Sequence, residues 1–122
     1  MTRELVTDGD SLDITVDDGE ERAFVRLRGR LDIDSSPDLR DRLLAIMGGE
    51  LPRTVIVDLT KVSYIDTSGV ATLLEALKIA RNRQVTFCLK GLQGRIVRFF
   101  EATGLLALFE TIDCEDASPE LR

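Results

Sequence analysis

Thr54-Val55-Ile56-Val57-Asp58-Leu59, then Val62-Ser63-Tyr64-Ile65, then Asp66-Thr67-Ser68-Gly69-Val70: this stretch decides the fold. Its first part comes after Pro52 and is a short, nearly continuous β-branched run, the pattern of a strand covered on both faces. The apolar pattern continues through residues 62–65 and stops at the polar tetrad 66–69. Val70, Leu73, Leu74 and Leu77 then recur at helical spacing, with Glu75, Lys78 and Asn82 as their polar complement. The spacing predicts a helix from residue 69 to about 82. Val70, Leu73, Leu74 and Leu77 are expected to face the core, and Ala71, Glu75 and Lys78 to face solvent or a partner. A buried strand that runs through a short polar loop into an amphipathic helix is the repeating step of an alternating α/β fold.

Working outward, Leu12-Asp13-Ile14-Thr15-Val16 and Ala23-Phe24-Val25-Arg26-Leu27-Arg28-Gly29 both alternate, with turn residues at 17–20 between them. They predict an N-terminal hairpin with its turn near Gly19. Ser35-Ser36-Pro37 predicts a helix start, with a serine as cap and proline in the first turn. Leu39, Leu43, Leu44, Ile46 and Met47 recur at helical spacing up to Gly48-Gly49. A strand over 84–89 comes next. Gly91 and Gly94 then open a helix with Ile96, Phe99 and Phe100 inward and Arg95, Arg98 and Glu101 outward, and Gly104 ends it. Residues 106–112 are expected as a last short strand. The order β-β-α-β-α-β-α-β predicts an α/β protein: a small mixed central sheet of four to five strands flanked by three or more helices.

With 122 residues, the chain is expected to form one domain over 1–122. Hydrophobic residues make up 43% and charged residues 31%, enough apolar content for a core. The net charge of -6 is unevenly spread. Residues 1–22 hold eight acids and two bases, residues 113–122 four acids and one base, and the middle ten acids and thirteen bases. The acidic ends, 1–10 and 114–122, are expected to be solvated and flexible. An acidic whole argues against direct nucleic-acid binding. No apolar run reaches the length of a membrane span and no apolar leader opens the chain, so the cytoplasm is the expected compartment.

The chain has no histidine, which removes the commonest general base and metal ligand. No phosphate-binding glycine loop is present. No catalytic residue, metal or cofactor is therefore assigned. Of the two cysteines, Cys88 sits in an apolar run and reads as a small core residue, and Cys114, in an acidic tail, as a free thiol.

The tetrad must turn the chain and satisfy the first N–H groups of the helix. Thr67 or Ser68 can supply the cap, and Asp66 sits favourably near the positive helix end. A hydroxyl in that position is also a ready phosphate acceptor, because unpaired N–H donors and the macrodipole accommodate an anion. The residues alone leave both readings open.

In register with its surroundings the tetrad resembles a known family. Val57-Asp58-Leu59-Thr60, Val62 and residues 65–70 resemble the signature strand-loop-helix of STAS domains, the anti-sigma-factor-antagonist type among them. Leu73-Leu74, Lys78 and Ala80, residues 97–100, Thr103-Gly104-Leu105 and Phe109 fit the later elements. Gly29-Arg30-Leu31-Asp32 resembles the family's Gly-Glu-Leu-Asp element, with Arg30 in place of the usual acid. The resemblance implies a binding protein and not an enzyme. It implies an anti-sigma factor, itself a Ser/Thr kinase, as partner of the unphosphorylated form, with Thr67 as the residue modified and a phosphatase reversing the step. The contact surface implied is Asp66, Thr67, Ser68, Gly69, Ala71, Glu75 and Lys78. Many antagonists carry serine at the position of Thr67. Threonine there also resembles STAS members outside sigma control, so a STAS subunit docking on the ATPase of an ABC-type lipid transporter is the alternative. A small enzyme using Asp58 and Asp66 as an acid-base pair is a third reading.

Three further features have simpler readings. Lys90-Gly91-Leu92-Gln93-Gly94-Arg95 contains the Gly-x-x-Gly of an RNA-binding loop that joins two helices, but here it comes after a strand and reads as a strand-to-helix turn. Asp32-Ile33-Asp34 lacks the other ligands of a calcium loop and reads as a turn. Arg26, Arg28 and Arg30 share a strand face, and a solvated sheet edge guarded by charge is the reading for them.

Overall fold

In the computed structural model the described residues are 11–50 and 52–109. They form β1 (Leu12–Asp18), β2 (Arg22–Leu31), α1 (Ser36–Ile46), β3 (Thr54–Ile65), α2 (Thr67–Asn82), β4 (Thr86–Lys90), α3 (Gly94–Ala102) and a 3-10 turn (Leu106–Leu108). The expected flexible ends, the thiol of Cys114 and the end of the last strand beyond Phe109 lie outside the described residues.

The sheet has four strands in the order β1-β2-β3-β4. The hairpin is antiparallel, with Ile14 opposite Leu27 and Val16 opposite Val25, and the Gly19 N–H closes its turn on the Arg22 carbonyl at 2.8 Å. β3 runs parallel to both β2 and β4. Val25, Leu27, Val55, Val57, Leu59, Phe87 and Leu89 join Leu39, Leu43, Leu73, Leu77, Ile96 and Phe100 in one core. The three helices thus cover one face of the sheet, and the other face carries a small cluster of Ile56, Cys88 and Phe24 among charged residues.

Two expectations hold within that layering and a third is corrected. Val55, Ile56 and Val57 are all buried, so β3 is covered on both faces there as expected, and among the described residues the helices pack on one of them. Arg26, Arg28 and Arg30 lie on the open face of an interior strand, not on an edge. Cys88 is fully buried as a small core residue, in the cluster with Ile56 on the open face.

β3 also unites the two apolar runs read in the sequence. It has 12 residues against the 10 of β2, and the difference is taken up at two irregularities in the ladder. Arg26 pairs with Asp58 but Arg28 with Lys61, and Gly29 pairs with Val62 but Arg30 with Tyr64. Each bulge inserts one residue into β3 and re-aims the side chains beyond it. Leu59 and Val62 both stay in the core, while Thr60, Lys61, Ser63 and Tyr64 are exposed.

On α2, Val70, Leu73 and Leu77 are buried as expected, together with Thr72, Ala76 and Ala80. Leu74 is only half-buried at the rim of the core. The buried arc is turned towards the alanines, whose small side chains let the helix lie close to the sheet. α1 begins where the serines predict, but Ser35 makes no side-chain cap. Its hydroxyl instead donates to the Arg30 carbonyl at 2.8 Å, and the Asp32 carboxylate accepts from the Asp34 and Ser35 N–H groups, each at 3.1 Å. The segment 106–109 is not a strand. Gly104, at φ +76°, ends α3, and the 3-10 turn delivers Phe109 against Phe100 and Phe87, with ring centroids 5.9 and 6.3 Å away.

Candidate functional site

The loop between β3 and α2 is set by the end of the β2–β3 ladder. Leu31 pairs with Ile65, and the Asp66 N–H still reaches the Leu31 carbonyl at 3.2 Å. Asp66 remains extended, at φ -121° and ψ -172°, which is the backbone an N-cap needs. Its Oδ1 accepts from the N–H groups of Ser68 at 2.9 Å and Gly69 at 3.1 Å, and its carbonyl accepts from the Val70 N–H at 3.0 Å. The cap is therefore Asp66, not Thr67 or Ser68. Thr67 is already the first helical residue, so its side chain cannot fold back over the next N–H groups.

This division of labour leaves Thr67 exposed, with a hydroxyl that makes no hydrogen bond among the described residues. It also revises how an anion would be held there. The donors of Ser68 and Gly69 are already taken by Asp66, so a phosphate on Thr67 would stand outside the cap, beside a carboxylate.

Gly69 is buried, and space explains the glycine. A Cβ there would stand 2.7 Å from Leu31 Cγ, 2.8 Å from the Leu31 carbonyl oxygen and 2.9 Å from Ile65 Cγ1. The oxygen belongs to a paired strand and cannot move aside. Gly69→Ala is accordingly expected to lower stability by about 1–3 kcal/mol through overpacking. A urea melt with an unchanged midpoint would show that α2 can lift from the sheet at no cost.

Thr67, Ala71, Glu75 and Lys78 are spaced four, four and three apart and so lie along one stripe of α2. Ala71 and Lys78 are exposed, Ser68 is half-buried, and Glu75 is held by Arg40 of α1 through a bidentate pair at 3.0 and 2.9 Å. The hydrogen bond from Arg40 holds the Glu75 carboxyl below the ordinary glutamate value. Partial burial pushes the Asp32 carboxyl up, but the N–H groups of Ser35 and Asp34, the Ser35 hydroxyl and Arg30 outweigh it and hold it low. Both depressed carboxyls favour the folded state above the ordinary carboxylate range, and that contribution is lost as pH falls through their folded values.

Two residues that sequence reasoning passed over flank the loop. Ile33, just after β2, is 68% exposed, and Tyr64, just before Ile65, is 40% exposed. Tyr64 carries the Arg30 guanidinium 4.0 Å above its ring centroid, and Arg30 also reaches Asp32 at 3.5 Å. Arg30 thus finds a ring to stack on, and it is the second bulge that turns Tyr64 to that side. The available clue was the break in alternation between Val62 and Ile65.

Asp58 and Asp66 are not brought together. Asp58 lies within β3, its carboxylate accepting from the Thr60 N–H at 2.9 Å, and Asp66 lies beyond the strand's end. Seven residues of strand, Leu59 to Ile65, lie between them, roughly 20–26 Å, too far for one reacting group.

Residues 12–117 match the STAS domain family. The chain belongs to the STAS family. It is 35% identical, over 71% of its length and 75% of the relative's, to a protein named anti-sigma-B factor antagonist in Listeria monocytogenes. It is 30% identical, over 78% of its length and 85% of the relative's, to a protein of the same name in Bacillus subtilis. The crystal structure of an anti-sigma factor antagonist from Mycobacterium paratuberculosis superposes with a TM-score of 0.74 at 22% identity, covering 84% of this chain and 86% of that one. That likeness carries the mixed α/β STAS fold. Among the described residues of this STAS chain, no helix is long and apolar enough to cross a membrane.

Proposed function

We propose that this STAS chain acts as one unit, an anti-sigma-factor antagonist in the cytoplasm, switched by phosphorylation of Thr67. Unphosphorylated, it binds an anti-sigma factor that is also a Ser/Thr kinase, and so frees the sigma factor. The kinase transfers the γ-phosphoryl group of ATP to Thr67 Oγ1, which ends binding, and a phosphatase restores it. The chain supplies no catalytic group of its own. The observation that carries this reading is the exposed Thr67 hydroxyl, left without a hydrogen bond among the described residues because Asp66 does the capping. The names of the 30–35% identical relatives support the same role.

The docking surface is the one the STAS resemblance implies, with two apolar side chains added. It comprises the Asp66–Gly69 turn, with Thr67 outermost, then Ala71, Glu75 and Lys78 along α2, with Ile33 and Tyr64 as apolar flanks. Ile33 and Tyr64 are two of the three exposed large apolar side chains among the described residues, and exposed apolar groups rimmed by charge are what a partner covers. Incubation with the kinase from the same cell and ATP is expected to add one phosphate, on Thr67. Peptide mapping that places it only on Ser68, or on neither residue, would falsify the switch.

A further inference from the structure

We propose that the open face of the sheet carries a second site, separate from the Thr67 surface, for a compact small polyanion bearing two or more phosphate or carboxylate groups. All four strands contribute to a depression of about 490 Å³, within the usual size range of small-molecule sites. Arg26 and Arg28 of β2, Lys61 of β3 and Lys90 of β4 line it, with two acids, Asp13 and Asp58, among the described residues. Arg26 pairs with Asp17 at 3.9 Å, which leaves Arg28 and Lys61 as the two cations of the lining on which the site turns, in a chain whose total charge is -6.

The register makes the arrangement costly without a ligand. Arg28 and Lys61 are direct partners across the β2–β3 ladder, and like charges placed opposite each other destabilise a sheet. Neither forms an ion pair among the described residues, although Asp13 stands opposite Arg28 on the other side. Asp58 stands between Arg26 and Lys90 in the next row, but one of its oxygens already accepts from the N–H and hydroxyl of Thr60. Lys61 reaches this face only because the first bulge inserts a residue between Asp58 and Val62. With strict alternation after Leu59 it would point into the core. A bulge that turns a cation towards another cation, in a concave site, prepares a place for an anion. Among the described residues no aromatic ring lines the depression to stack a planar base, and compact charge is what the lining recognises.

The test is a titration of the full chain, at constant ionic strength, with inorganic pyrophosphate in one arm and citrate in the other, monitored by amide NMR. Saturable shifts at residues 26, 28, 61 and 90, half-saturating below about 1 mM, are expected in at least one arm. A response to pyrophosphate alone would assign the site to oligophosphates, and a response to citrate alone to polycarboxylates. Lys61→Gln and Arg28→Gln should each weaken binding about tenfold or more, and Arg98→Gln, on the exposed side of α3, should leave it unchanged. Because the first two relieve like-charge repulsion, their melting temperatures should hold or rise. Non-saturating shifts in both arms, or equal binding by all three variants, would overturn the site.

Discussion

Leu73→Ala is expected to lower the free energy of unfolding by about 2–5 kcal/mol, and Leu74→Ala by clearly less. Leu73 is fully enclosed between α2 and the sheet, so its removal leaves a cavity walled by paired strands that cannot collapse into it. Leu74 sits at the rim, and water can fill the space its side chain gives up. Against a total stability of about 5–15 kcal/mol for a typical domain, the first change is a large fraction. Urea melts of both variants give the comparison. Equal losses, or a larger loss at Leu74, would mean that α2 is rotated relative to the face described.

Thr67→Asp is expected to weaken binding to the anti-sigma factor by at least about tenfold, roughly 1.4 kcal/mol, while Thr67→Ala binds and escapes control. The added carboxylate stands beside Asp66, whose own charge is already committed to the Ser68 and Gly69 N–H groups. Nothing local is left to neutralise it, so the charge is presented outward to the partner, where it repels acids and must be desolvated. The fold itself should hardly respond, because the cap is complete with or without the modification. Phosphate on Thr67 should change stability by no more than about 1 kcal/mol, the scale of charge effects at a helix end. Calorimetric titration of the partner measures the first claim, and an unchanged affinity in the Asp variant would count heavily against the switch. Amide shifts confined to residues 66–72 on phosphorylation would support the second. Shifts spreading through the sheet would show a conformational trigger instead.

The order of elements was legible because strands and helices here keep their periods. Alternation at 12–16 and 23–29, the β-branched run at 54–59 and the three-four spacing after Val70 each name an element from a few residues. Where the period breaks, reading failed. The two bulges of β3 put Lys61 and Tyr64 on the open face, against simple alternation, and so hid both the cationic depression and the ring that Arg30 covers. A bulge is decided by the strand alongside, and one strand's composition carries no trace of its partner's register. The last expected strand failed for a related reason. Leu106, Leu108 and Phe109 are apolar enough for a strand, but a 3-10 turn places Phe109 where Phe87 and Phe100 leave room for it.

At the site, the residue types of 66–69 were enough to mark a helix start with a hydroxyl beside it, because only a short polar cluster can turn a buried strand into a helix and meet its unpaired N–H groups. Which oxygen does the capping was a tertiary decision. The Asp66 N–H is drawn to the Leu31 carbonyl at the end of the ladder, which keeps Asp66 extended and makes it the cap. Gly69 likewise could be read as a turn residue, but its reason is the 2.7–2.9 Å approach of Leu31 and Ile65, atoms from two other positions in the sheet. By itself, then, the sequence determined the elements up to α3, their order and the place of the Thr67 hydroxyl at a helix start, all of which depend on neighbours along the chain. The freedom of Thr67, the glycine's necessity and the charge of the open face were decided only when β2, β3 and α2 came together, because each depends on atoms that the chain brings close by folding.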